Sequence, residues 1–158
     1  MRARTSSTAR NLARFCSLSD RFRNRLERIR AAAVTRVLIA DDHRLFAQAL
    51  EAILSVEPGI DVVGLAESGV DAVQRASELE PDVVLMDINM PGIDGLEATR
   101  RILSRQPGTR VLMVTGSDAH QDVDAARTAG AAGYVTKDRI AAELISAIFD
   151  VAASVPVP

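Results

Sequence analysis

From Thr35 onward, five short unbroken apolar runs alternate with longer amphipathic ones: "RVLIA" (36–40), "DVVGLA" (61–66), "DVVLM" (82–86), "RVLMV" (110–114) and "GYV" (133–135). A strand with one wet face alternates apolar and polar residues, whereas an unbroken run belongs to a strand covered on both sides, as in a parallel sheet. The intervening stretches, 43–57, 69–79, 94–105, 118–129 and 138–152, are expected to be helices, the first with Leu45, Phe46, Leu50, Ile53 and Leu54 on one stripe. Pro58-Gly59, Glu80-Pro81, Pro107-Gly108 and Gly130 stand where those helices should stop. Five βα units joined by right-handed crossovers wind into a three-layer α/β sandwich. A hydrophobic fraction of 47% in 158 residues suffices for one continuous core.

In open sheets of this kind the working site lies at the carboxyl ends of the strands, beside the point where strand order reverses. Asp41 and Asp42 follow the first strand, Asp87 the third, Thr115 the fourth, and Thr136 and Lys137 the fifth. Under a sheet order of 2-1-3-4-5 these ends are contiguous, and three acids, a hydroxyl and an ammonium share one rim. Lys137 stands out: of 19 basic residues it is the single lysine. A compact ammonium and a planar guanidinium are not interchangeable, so a lone lysine in an arginine-using chain marks a place where arginine does not substitute.

Two unit charges about 4 Å apart repel by roughly 4 kcal/mol at an effective dielectric near 20, so three clustered carboxylates call for a cation. Mg²⁺ takes oxygen ligands, often only one or two carboxylates, and leaves places for water and a phosphate. A phosphoryl group there would meet the Lys137 ammonium and the Thr115 hydroxyl, and Asp87 could accept it as an aspartyl phosphate. Pro91-Gly92 and Gly95 would turn the chain away and leave Asp87 at the strand tip. Each residue alone has an ordinary role: Asp42 or Thr115 as a helix cap, Asp87 as a loop acid, Lys137 as a surface lysine. Their placement on successive strand ends carries the argument.

Other features narrow the function classes. Cys16 is alone, and His43 and His120 are too few for a zinc cluster. No run reaches the roughly 18–20 apolar residues of a membrane span, and the N-terminus lacks the apolar core of a secretory signal, so a cytoplasmic location is expected. Residues 1–33 hold nine arginines against Asp20 and Glu27, a charge of +7 in a chain of net −2, which leaves −9 for the remainder. In this arm Leu12, Phe15, Leu18, Phe22, Leu26 and Ile29 recur at helical spacing with arginines on the other faces.

The stretches "VLIADDHRLF", "DVVLMDINMPGIDGLEATR", "VLMVTG" and "GAAGYVTKD" resemble the receiver domain of bacterial two-component response regulators, the NarL/LuxR-type subfamily in particular. The resemblance covers about 35–153. It implies a flavodoxin-like (βα)5 fold of order 2-1-3-4-5, with Asp87 as phosphoacceptor for a sensor histidine kinase. It further implies Mg²⁺ held by Asp41, Asp42, Asp87 and the backbone carbonyl of Asn89, a switch pair of Thr115 and Lys137, and Tyr134 at an aromatic switch position. The readout face would be helix 118–129, strand 133–135 and helix 138–152, offered to a downstream protein partner. Gly116 leaves room beside Thr115. Asp138 follows Lys137 where many receivers have proline, which sets the family's frequent cis bond there in question.

The expected organisation is an arm at 1–33, a receiver at 34–153 and a tail or linker start, "SVPVP", at 154–158. The usual DNA-binding helix-turn-helix is not expected in this chain, which would be a phosphoacceptor that at most assists its own phosphorylation and dephosphorylation, not an independent enzyme. A homodimer is left open. The arm is read as a basic helix for membrane, partner or nucleic acid, as a disordered extension, as a misassigned start with Val34 as the true one, or, less suited to a bacterial-type receiver, as an Arg- and Ser-rich organellar presequence. The rival function is a constitutive protein-interaction module with a vestigial acidic pocket, tethered to membrane or nucleic acid through the arm.

Overall fold

The computed structural model describes residues 34–116 and 120–154, and the expectations for the arm, for the start of helix 118–129 at residues 118–119, and for the tail at 155–158 lie outside the described residues. Five strands, β1 (Thr35–Ala40), β2 (Ile60–Ala66), β3 (Val83–Met86), β4 (Arg110–Thr115) and β5 (Gly133–Thr136), pair in parallel in the order β2-β1-β3-β4-β5. The helices are α1 (Arg44–Ser55), α2 (Gly69–Leu79), α3 (Gly95–Arg105), α4 (His120–Ala129) and α5 (Ile140–Ala153). The flavodoxin-like (βα)5 architecture is therefore the one implied by the sequence.

Strand side chains alternate between the two faces, and both faces are covered. Leu38, Ala40, Val84, Met86, Val111 and Met113 join Ala72, Ala76, Ala98, Ile102 and Ala126 in a core beneath α2, α3 and α4. Val37, Ile39, Val83, Leu85, Leu112 and Val114 join Leu50, Leu54, Leu144 and Ile148 beneath α1 and α5. Burial on both sides is why the strand sequences carry no polar alternation.

The differences from expectation have local causes. Helix 43–57 is trimmed to Arg44–Ser55, and its buried stripe is Ala47, Leu50 and Leu54, with Phe46 half-buried. Leu45 is 83% exposed and Ile53 48%, because Leu45 lies about 140° around the helix from Leu50. Asp82 precedes β3 instead of opening it, and its carboxylate accepts the Arg36 backbone N–H at 2.8 Å. The stretch from 138 begins as a 3₁₀ turn, Lys137–Arg139, before α5. No peptide bond among the described residues is cis, the Lys137–Asp138 bond included.

Two glycines after β3 set the course of the chain by different means. Gly92 has φ +79°, a left-handed conformation that is strained for any residue with a Cβ. At Gly95, the first residue of α3, a Cβ would overlap the carbonyl oxygen of Asp87 and stand 3.0 Å from Ile88 Cα, while its N–H donates to the Ile88 carbonyl at 2.8 Å. Asp94 then caps the helix by accepting the Glu97 N–H at 2.8 Å. In urea unfolding, Gly95→Ala is expected to cost about 2–4 kcal/mol because backbone must move, and Gly92→Ala about 1 kcal/mol because open space surrounds it and only φ is strained.

Candidate functional site

The sheet register brings the acids together. Ala40 of β1 pairs with Met86 of β3, so Asp41 and Asp87 are the next residues on adjacent parallel strands. Their backbones extend the ladder: the Asp87 N–H donates to the Ala40 carbonyl at 2.9 Å and the Asp41 N–H to that of Ala66 at 3.0 Å. Both side chains are buried, each residue only 3% exposed.

Lys137 compensates them from the end of β5. Its Nζ lies 2.7 Å from Asp41 Oδ2 and 3.6 Å from Asp87 Oδ2. The ammonium also sits over the Phe46 ring of α1, 4.3 Å from its centroid, a contact with the negative face of the ring. Phe46 was expected only as part of an apolar stripe; the signal for its second contact was an aromatic in the first turn of the helix that follows the paired acids.

The other oxygen of Asp41 faces a different neighbour. Asp41 Oδ1 accepts the His43 backbone N–H at 2.8 Å and lies 3.2 Å from His43 Nδ1, which is 3.3 Å from Asp42 Oδ1. Helix α1 has His43 at its N-cap position with no side-chain cap bond, so Asp42 is not a helix cap. One ligand atom from each of Asp41, Asp42, His43 and Asp87 falls within a 4.8 Å cluster. Asp41, Asp42 and Asp87 are thus brought together as anticipated, with His43 added. Asn89 is exposed and its N–H donates to the Asp87 carboxylate.

Thr115, fully buried at the end of β4, has a hydroxyl with no hydrogen-bond partner among the described residues. A buried hydroxyl is ordinarily paired, and leaving one unpaired costs about 1–3 kcal/mol. Thr115 pairs in register with Thr136, and Met113 with Tyr134. Strand alternation then puts Thr115 and Tyr134 on the same sheet face, and Tyr134 is half-buried against the core under α2, α3 and α4. A Cβ on Gly116 would meet nothing within 4 Å.

The electrostatics centre on Asp87. Burial pushes its carboxyl above the ordinary carboxylate range and the Asp41 charge adds to this; Lys137 and the Asn89 N–H pull the other way, and Asp42 contributes a smaller upward push. The donor set fits a hard divalent cation: three carboxylates, two of them desolvated, with one ammonium for partial compensation. Because the folded-state pKa of Asp87 lies above the unfolded one, its charge opposes folding fully above the folded pKa, and the penalty vanishes as pH drops below the unfolded pKa. Without added metal, Asp87→Asn is expected to raise the thermal midpoint by about 2–4 °C near pH 7, with the gain shrinking toward about pH 4; an unchanged midpoint across that series would contradict it.

Comparison with known proteins places this geometry. The family "Response regulator receiver domain" matches residues 37–149. Response regulator GacA of Pseudomonas viridiflava is 46% identical over 113 residues, covering 72% of this chain and 53% of the relative. Transcriptional regulatory protein DegU of Brevibacillus brevis is 41% identical, covering 72% and 48%. The chain thus spans about half the length of these curated relatives. Among solved structures, the response regulator domain of Thermotoga maritima CheB superposes with a TM-score of 0.70 at 35% identity, covering 78% of this chain and 99% of that one. A LuxR-family two-component response regulator from Aurantimonas sp. SI85-9A1 gives 0.73 at 35% identity, covering 76% and 86%. By these matches the chain belongs to the response regulator receiver domain family of two-component systems.

Proposed function

We propose that Asp87 is the phosphoacceptor, taking its phosphoryl group from the phosphohistidine of a sensor histidine kinase. The observation that carries this reading is the triangle of Asp41, Lys137 and Asp87 at adjoining strand ends. A carboxylate oxygen of Asp87 attacks phosphorus, the N–P bond of the donor breaks, and the leaving imidazole takes up a proton. A carboxylate is a competent nucleophile for this, so no separate base has to generate it. Asp41, Asp42, Asp87 and the Asn89 carbonyl would hold Mg²⁺, whose role when bound is to neutralise charge on the phosphoryl oxygens.

Lys137, already 3.6 Å from Asp87, supplies the ammonium for a phosphoryl oxygen. The Thr115 hydroxyl, without a partner among the described residues, gains an acceptor. Its movement toward the phosphoryl group frees space on the face it shares with Tyr134, so the two packings of that face become unequal in energy. The surface of α4, β5 and α5 would then present a changed face to a downstream protein partner. The chain acts as a phosphoacceptor in the cytoplasm that at most assists its own phosphorylation and dephosphorylation.

Intact mass after treatment with acetyl phosphate and Mg²⁺ tests the reading. A phosphoryl-sized gain is expected, absent in Asp87→Asn and without Mg²⁺; an equal gain in Asp87→Asn would place the acceptor elsewhere. Lys137→Arg is expected to slow the gain about tenfold or more, because the guanidinium cannot occupy the ammonium's place between two carboxylates and a ring.

A further inference from the structure

Asp41 divides the rim into two sides. Its Oδ2 carries the Lys137 ammonium at 2.7 Å, whereas its Oδ1 faces His43, with Asp42 Oδ1 only 3.3 Å from the same imidazole nitrogen. A cation that joins Asp41 through Oδ1 therefore approaches away from Lys137, on the side where His43 Nδ1 stands. Two ligands on one ion at about 2.1 Å are at most about 4.2 Å apart, so the 4.8 Å cluster needs to close by only about half an ångström.

We infer that His43 is a nitrogen ligand for this pocket, which admits a borderline divalent transition ion as well as Mg²⁺. The inference rests on the proposed cation site and adds to it a ligand of different chemistry. Mg²⁺ favours oxygen and gains little from imidazole; Zn²⁺, Co²⁺ and Ni²⁺ bind imidazole strongly, so the same pocket treats the two classes differently according to whether residue 43 engages. The arrangement suits such engagement. His43 is 70% exposed, its ring is not used as a helix cap, and it is anchored by its own N–H on Asp41. With the ion on Nδ1, the ring proton resides on Nε2. Asp41 acquires two duties, a carboxylate for the ion on one oxygen and a partner for Lys137 on the other.

The test uses the full chain carrying Cys16→Ser and His120→Ala, which removes the thiol and the other imidazole. Co²⁺ and Mg²⁺ are titrated separately by calorimetry, and the Co²⁺ visible spectrum is recorded. His43→Ala is expected to weaken Co²⁺ by about tenfold or more and shift its absorption toward an all-oxygen environment, with Mg²⁺ changed less than about twofold; His43→Asn should resemble it. Unchanged Co²⁺ affinity and spectrum would overturn the inference. So would equal losses for both ions, which would make His43 only a support for Asp41. A parent that binds Co²⁺ through His43 but not Mg²⁺ would uphold the ligand and remove the Mg²⁺ reading instead.

Discussion

The structure depends on placing two carboxylates on neighbouring parallel strands at the same level. Parallel strands lie about 4.8 Å apart, and with Ala40 paired to Met86 the residues that follow cannot avoid one another. Slipping the register would separate the acids, yet it would also turn the apolar side chains of β1 or β3 to the wrong core, and both cores are fully packed. The hydrophobic energy of two layers therefore enforces an electrostatic arrangement that the acids themselves would not choose. Much of a receiver's capacity to bind cations and phosphoryl groups originates in this conflict.

Lys137 moderates the conflict without resolving it. One ammonium faces Asp41 closely and Asp87 more distantly, and its third contact is an aromatic ring rather than another anion. Two buried carboxylates thus share one compensating charge, and the carboxyl of Asp87 remains harder to ionise than in water. Thr115 adds a second unmet need, a buried hydroxyl without a partner among the described residues. Charge and hydrogen-bonding deficits of this sort are tolerable because the scaffold around them is overdetermined, and a ligand that satisfies both stabilises the folded chain through binding.

Most of the fold was legible in the sequence because parallel strands leave an unmistakable trace. Their apolar runs are unbroken, and helices with glycine or proline at their ends separate them. With the strand order 2-1-3-4-5 supplied by the family resemblance, the strand-end residues Asp41, Asp87, Thr115 and Lys137 could be named as one rim before any distance was known. What escaped was anything dependent on rotation about a helix axis or on the direction of a side chain. Leu45 and Ile53 belonged to an apolar stripe by spacing, but helix α1 turns Ala47 and Leu50 to the sheet and leaves them out. His43 was dismissed because zinc clusters need several histidines or cysteines, an argument that counts ligands of one kind. A mixed set with three carboxylates is visible only when the backbone of residue 43 is seen anchored on Asp41. Phe46 was assigned to the core, and its ring face proved to be shared with the ammonium.

Gly95 has a bearing on which way a signal can leave the pocket. Its backbone is packed so closely on the Asp87 carbonyl that no side chain fits between them, and its N–H is bonded to the following residue, Ile88. On that flank the acid is clamped to the first turn of α3. On the opposite flank, at the end of β4, a Cβ on Gly116 would meet nothing within 4 Å and the buried Thr115 hydroxyl has no partner among the described residues. If Asp87 takes a phosphoryl group as proposed, the first turn of α3 leaves it little room to move, and the Thr115 side is where a hydrogen bond is still to be made.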